Sequence, residues 1–239
     1  MPMCMRRLMP FASSSLSRIL CHSFNQKLGS GILPQDIFQF YLAQDAEYLR
    51  DFASVLKRLS QRCPDERHAE RLMLISKNTI ESERKMQQRY LRAPSRQAYF
   101  FQGKTESTET IPVIESYTQH LFNASESGSI AEGVVSCVPC FVIYKTLGEQ
   151  MNARCQERNP YLSWIASYSS PKFVDSCRQM IQIADELMSQ SSSPLEEAKI
   201  VASFLTSVRY EEKFFDACLL KDMPYFPESK DVTISCRPF

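Results

Sequence analysis

Residues 34–62 read PQDIFQFYLAQDAEYLRDFASVLKRLSQR. Phe38, Tyr41, Leu42, Leu49, Phe52, Val55, Leu56 and Leu59 form one apolar stripe at steps of three and four, the spacing of a helix face. Pro34 opens this helix, and the pattern carries it to Arg62. Outward from it the same period recurs. A first helix is expected over Phe11–Leu28, ending at Gly29-Ser30-Gly31, and another is predicted to start with Pro64 at its first position and reach Leu91. Residues 93–110 read as a loop, with one helical turn near Tyr99. Helices follow over Val113–Ala124 and Ile130–Cys155. Asn159-Pro160, Ser170-Pro171 and Ser193-Pro194 each pair a capping residue with Pro, and Glu196 completes a capping box after Ser193. The last helix should reach Leu220. No period-two run bounded by hairpin turns is present, so the expectation is an all-α, single-domain helical bundle over 1–239, with its core at about 11–220 and an extended tail over 221–239.

Composition narrows the function. The chain has 239 residues, 28 Lys and Arg against 27 Asp and Glu, and a formal net charge of +1. That balance excludes a broad electrostatic grip on nucleic acid or an anionic membrane surface. No apolar run is read as approaching the roughly 20 residues that span a bilayer. The nine Cys are odd in number and irregular in spacing, which points to a reducing, cytoplasmic setting rather than a disulfide framework. Arg6, Arg7, Arg18 and several Ser near the start have the look of a targeting peptide, but a plain amphipathic helix is the preferred reading.

The informative positions are polar side chains set into apolar stripes. In the last helix Phe204, Val208, Phe215 and Leu219 share a face, and Glu211 fills its vacant step. A carboxyl facing a core is costly unless paired, and burial raises its pKa. Such a group either serves general acid–base chemistry or forms a structural ion pair with an Arg on another helix. Asp45 intrudes in the same way between Leu42 and Leu49, with Tyr48 beside it. This Asp–Tyr pair can receive a ring nitrogen or amine, or can fix helix register as a buried hydrogen bond. Pro139 within Ser136-Cys137-Val138-Pro139-Cys140 should kink its helix. Tyr144 stands on the same face as Cys140. A thiol becomes a useful nucleophile where a neighbour favours the thiolate.

Rival chemistries have less support. Cys137 and Cys140 spell C-x-x-C, but a thioredoxin-like site needs a preceding strand and a helix N-terminus, and here the motif lies inside a helix. No second Cys pair or paired His completes a zinc site, and no Glu-x-x-His supports a di-iron bundle, so no metal or cofactor is expected. His22, His68 and His120 are scattered, and His68 reads as a solvated helix residue. No P-loop or GxGxxG is present. Tyr117, Tyr144, Tyr168 and Phe214 lie on or beside the helices bearing the acids and the Cys. They make a stacking pocket only if they converge with Asp45, Cys140 and Glu211.

Taken together, the motifs resemble the TenA, or thiaminase II, family. The carriers are HSFNQKLGSGILP from His22 to Pro34, FYLAQDAEYL from Phe40 to Leu49, and Ser116-Tyr117-Thr118. They continue with Val138-Pro139-Cys140 through Tyr144, Asn159-Pro160-Tyr161 through Tyr168, and Tyr210-Glu211 through Asp216. The resemblance implies a haem-oxygenase-like helical fold without haem, commonly a homotetramer. It implies hydrolysis of thiamine, or of the small pyrimidine 4-amino-5-aminomethyl-2-methylpyrimidine in salvage, at the methylene carbon. It further implies Cys140 as nucleophile, Glu211 as acid and base, and Tyr48 beside the sulfur. Asp45 would bind the pyrimidine's amino group and ring nitrogen. Tyr144 and Tyr168 would contact substrate, and Tyr117 and Phe214 would wall the ring. Phe215, Glu212 and Lys213 depart from the family's usual final block, and Cys137 is an addition. The alternatives are a non-catalytic helical binding or scaffold protein, and a metal-dependent oxidase on the same fold.

Overall fold

Leu8, Ala12 and Ile19 face inward from the first helix while Arg6, Arg7 and Arg18 face out, so the N-terminal segment is an amphipathic helix packed on the body. The computed structural model describes residues 2–90, 109–154, 157–191 and 193–220. Of the loop expected over 93–110, residues 93–108 with the turn near Tyr99 lie outside the described residues, as does the expected tail over 221–239. Within them the elements are α1 (Met3–Leu20), α2 (Ser23–Gly29), α3 (Gln35–Arg62), α4 (Glu66–Tyr90), α5 (Pro112–Glu126), α6 (Ile130–Asn152), α7 (Leu162–Tyr168), α8 (Pro171–Ser189) and α9 (Pro194–Leu219). No strand occurs among the described residues, as the periodicity predicts.

Several boundaries differ from expectation for local reasons. The helix expected over Phe11–Leu28 is two helices with a corner at Cys21-His22. His22 caps α2 by accepting the Phe24 amide at Nδ1, 3.2 Å away. With Nδ1 accepting, Nε2–H donates to Asp216 at 3.0 Å. Asn25 braces the corner by donating to the Ile19 carbonyl at 2.8 Å. The stop at Gly31 is as expected: its φ of +76° suits glycine, and Gly31 and Ile32 donate to Leu28 and Lys27 in a Schellman closure.

Pro64 precedes α4 rather than opening it, and Asp65 caps instead, accepting the amides of Arg67 and His68. Asn159 accepts the Tyr161 amide but starts no helix at Pro160. Its Nδ2 spans to the carbonyls of Leu28 and Gly29, tying the approach to α7 to the end of α2. Ser170 does cap α8. Ser193 makes no side-chain cap, and the capping box is not formed because Glu196 accepts from Ser191.

One apolar core runs from Cys4 to Cys218. At its centre lies α6, packed against α5, α7, α8 and α9. By length and apolar character α6 could cross a bilayer, contrary to the reading that no run comes near that length; most of it is buried among the other helices. Gly148 permits this packing: a Cβ there would meet the Tyr168 Cβ at 2.7 Å and its carbonyl carbon at 3.0 Å. His68 is not solvated. It is 2% exposed and bonded through Nε2 to Glu186 of α8 at 2.9 Å.

Candidate active site

A cavity of about 360 Å³ opens between α3, α4, α6 and the α7–α8 corner. The inner wall carries Asp45 from α3, Cys140 and Tyr144 from α6, and Tyr168 from α7. The Tyr144 and Tyr168 rings lie 4.8 Å apart. Leu42, Phe52, Phe141 and Phe173 supply the apolar surface around them.

Glu211, Tyr48, Tyr117 and Phe214 do not line this cavity; they form a layer packed behind the wall. Tyr117 donates its hydroxyl proton to Glu211 Oε1 at 3.0 Å. The partner of this buried acid is therefore a phenol, not the Arg considered as its structural mate. The Tyr48 ring lies 4.9 Å from that of Tyr117. Phe214 packs on Tyr41 with centroids 5.2 Å apart.

The anticipated Asp45–Tyr48 hydrogen bond is not formed. The Tyr48 hydroxyl is buried facing the Cys140 sulfur and the Tyr117 phenol, while the Asp45 carboxyl belongs to the cavity wall. The two share a helix but face different layers.

Electrostatics ties the two layers together. Burial pushes Glu211 up to about 8; the Tyr117 hydrogen bond lowers it and the charge of Asp45 raises it. Burial likewise pushes Asp45 up to about 7, with Glu83 adding to the rise. The Cys140 thiol is raised well above its ordinary value by burial first and by Glu211 next, while Tyr48 pulls it down. At neutral pH the sulfur therefore rests as a thiol and Glu211 holds a proton. The site disfavours the resting thiolate that a redox or papain-like cysteine needs. Cys137, one face away, is wholly buried and pushed up to about 12, so the C-x-x-C pair offers no accessible dithiol. Cys4, Cys63, Cys137, Cys140, Cys177 and Cys218 are not in disulfides.

The sequence reading missed Tyr41 as a site residue. It donates to the Tyr144 hydroxyl at 3.1 Å and so sets the direction of the phenol on the wall. It also missed the outer half of the cavity, built by Thr79, Ser82, Glu83 and Met86 of α4 facing Lys172 and Phe173 of α8. The signal was the helical spacing of those α4 residues, in continuation of the buried Leu72 and Ile75. Among the described residues no group of His, Cys, Asp and Glu could hold a metal ion.

Known proteins share this architecture. The TENA/THI-4/PQQC family profile matches residues 10–221. An aminopyrimidine aminohydrolase from Bacillus subtilis is 28% identical over 202 residues, covering 84% of this chain and 83% of that protein. Another from Helicobacter pylori is 27% identical over 209 residues, covering 86% and 93%. A solved TenA homologue from P. horikoshii superposes with a TM-score of 0.75 at 21% identity, covering 90% of this chain and 97% of that one. A second, from Pyrococcus furiosus, gives 0.75 at 18% identity, covering 89% and 98%.

Proposed function

The chain belongs to the TENA/THI-4/PQQC family, and we propose that it is a hydrolase of thiamine metabolism that cleaves an aminopyrimidine at its exocyclic methylene carbon. The observation that carries this reading is the shared wall of Asp45 and Cys140, backed by Glu211, a buried acid that keeps its proton at neutral pH and raises the Cys140 thiol once ionised. The substrate is 4-amino-5-aminomethyl-2-methylpyrimidine or thiamine, and the setting is salvage.

The chemistry follows from the protonation states. A flat, electron-poor ring seats between the tyrosines and the apolar wall, its amino group and ring nitrogen held by Asp45. The Cys140 sulfur adds to the ring, and the thiol proton passes to the ring nitrogen side. The electron pair gained by the ring expels the leaving group from the methylene carbon, ammonia from the ammonium or neutral thiazole from the thiazolium, and Glu211 gives up its proton to the freed ammonia or, with thiazole, to solvent. The Glu211 carboxylate then takes a proton from water, whose oxygen bonds to the methylene carbon. The electron pair returns to the ring and on to sulfur as the C–S bond breaks, and Cys140 recovers its proton. One difficult displacement becomes two easier steps. Tyr48 assists by favouring charge on the sulfur.

The test compares ammonia release from aminomethylpyrimidine with thiazole release from thiamine, for the wild type and Cys140→Ala. The variant should keep its helical circular dichroism and lose turnover by about a thousandfold or more. Near-wild-type turnover would remove the nucleophile. A second reading, a pyrimidine-binding protein without turnover, draws on the resting thiol and on Glu211 lying behind the wall. It requires tight pyrimidine binding by the wild type with no ammonia or thiazole released.

A further inference from the structure

The outer half of the cavity carries a charge that the reaction above does not use. Glu83 of α4 lines the cavity on the same lumen as Asp45, and the charges of the two carboxyls act on each other. Glu83 makes no ion pair among the described residues. Of the cations around it, three are held by other carboxylates, and Arg84 acts on it only through its charge, without an ion pair. Arg50 is clasped by both oxygens of Glu47 at 2.8 and 2.9 Å. Lys85 and Lys172, which also line the mouth, are both bound by Glu81 on the outer side of α4, Lys85 at 2.7 Å. Burial raises the Glu83 carboxyl, the more distant charges of Arg50 and Arg84 and a hydrogen bond from Gln87 lower it, and Glu47 adds to the rise. The lumen thus presents two carboxyls to its contents, while the lysines at its rim are spent on a third.

We propose that Glu83 is a specificity-determining residue that selects substrates carrying a positive charge on the group leaving the pyrimidine, an ammonium or an azolium. This rests on the reading of the cavity as an aminopyrimidine hydrolase site. Asp45 and Cys140 hold the ring at the inner wall, so the substituent on the methylene carbon extends toward α4. A primary aliphatic amine is protonated at neutral pH and a thiazolium is permanently cationic, so both meet Glu83 as counter-ions. The hydroxymethyl product is neutral and loses that attraction, which favours its release. A partly buried pair of this kind is worth more than an exposed surface pair and is screened by salt.

The experiment measures KM and kcat for thiamine and aminomethylpyrimidine, and the Kd of neutral hydroxymethylpyrimidine by calorimetry, in the wild type, Glu83→Gln and Glu83→Asp. Glu83→Gln should raise KM for both cations about five- to tenfold, change kcat less than twofold and leave the product's Kd unchanged. Glu83→Asp should recover part of the loss. Added salt should raise KM in the wild type and not in Glu83→Gln. A KM within twofold of wild type, or an equal weakening for the neutral product, overturns the proposal while leaving the hydrolase reading standing. A wild type that turns over neither substrate but binds thiamine through Glu83 would defeat the hydrolase reading and keep the charge selection.

Discussion

Helices α6 and α4 flank the same cavity and are nearly equal in length, 23 and 25 residues, yet they are built on opposite plans. The first is buried over most of its surface from Ala131 to Met151, leaving only a short stripe with Lys145, Glu149 and Gln150 outward, and the second buries only His68, Leu72, Ile75, Ser76 and Tyr90. A buried side chain on α6 has neighbours that fix it from all directions, so a sulfur there is held in one place. A side chain on α4 looks across a wet face and can change identity without disturbing the core. The proposed nucleophile, Cys140, sits on the first kind of helix, and the proposed selecting charge, Glu83, on the second.

The deepest test of this division is Glu211→Gln, on α9 behind the wall. The amide keeps the shape and can still accept from Tyr117, but it cannot give or take a proton. Turnover should fall about a hundredfold or more, with substrate affinity within a few-fold of wild type. A loss seen only in KM would make Glu211 a packing residue and break the contrast.

Burial decides which way each acid shifts: Glu83, on the cavity side of α4, is raised by it, whereas its exposed neighbour Glu81 is not. Glu81, exposed on α4, is lowered from 4.5 to about 2, chiefly by hydrogen bonds from Lys172 and Lys85. Glu211 is raised from 4.5 to about 8 and Asp45 from 3.8 to about 7, both chiefly by burial. The native state therefore holds a proton that the unfolded chain releases on Glu211 between pH 4.5 and about 8, and on Asp45 between pH 3.8 and about 7. Their contribution to stability is full below the unfolded values and is lost as pH rises through the folded ones, on the order of a few kcal/mol in all. Urea midpoints measured from pH 5 to about 8.5 should fall in the wild type and fall less in Glu211→Gln. Parallel curves for the two proteins would mean that the buried acid does not titrate as described.

How much of this was legible in sequence follows the same divide. The stripe of α3, the opening at Pro34 and the course of α5, α6 and α9 could be read because burial imposes a helical period on apolar residues. Glu211 and Asp45 stood out as breaks in that period. What escaped depended on side-chain direction. Cys21-His22 continues the apolar pattern, so the corner there comes from a His ring accepting an amide, which no spacing reveals. His68 sits between charged neighbours and still points into the α4–α8 contact. Ser193 and Glu196 have capping-box spacing, but Ser191 reaches the carboxylate instead. The α4 half of the cavity was masked for a related reason: Thr79, Ser82, Glu83 and Met86 keep the spacing of Leu72 and Ile75, but polar residues at those steps look like an ordinary solvated face until α8 is placed opposite.

The smallest effects sharpen the comparison most, because they set equal perturbations side by side. Gly148→Ala adds one methyl on α6, where a Cβ would lie 2.7 Å from the Tyr168 Cβ and 3.3 Å from the Ile165 carbonyl oxygen. The obstruction includes backbone, so α7 must retreat and carry Tyr168 off the cavity wall. A loss of about 1–3 kcal/mol is expected, with weaker substrate binding. Lys85→Ala on α4 removes a charge at the mouth of the same cavity. Its partner Glu81 keeps Lys172, and the lost pair is an exposed i,i+4 contact on one helix. Less than about 0.5 kcal/mol should be lost, with turnover near wild type. Thermal and urea denaturation of the two variants decide the matter. If Lys85→Ala costs as much as Gly148→Ala, α4 is as tightly integrated as α6, and the freedom assigned to the outer wall is gone.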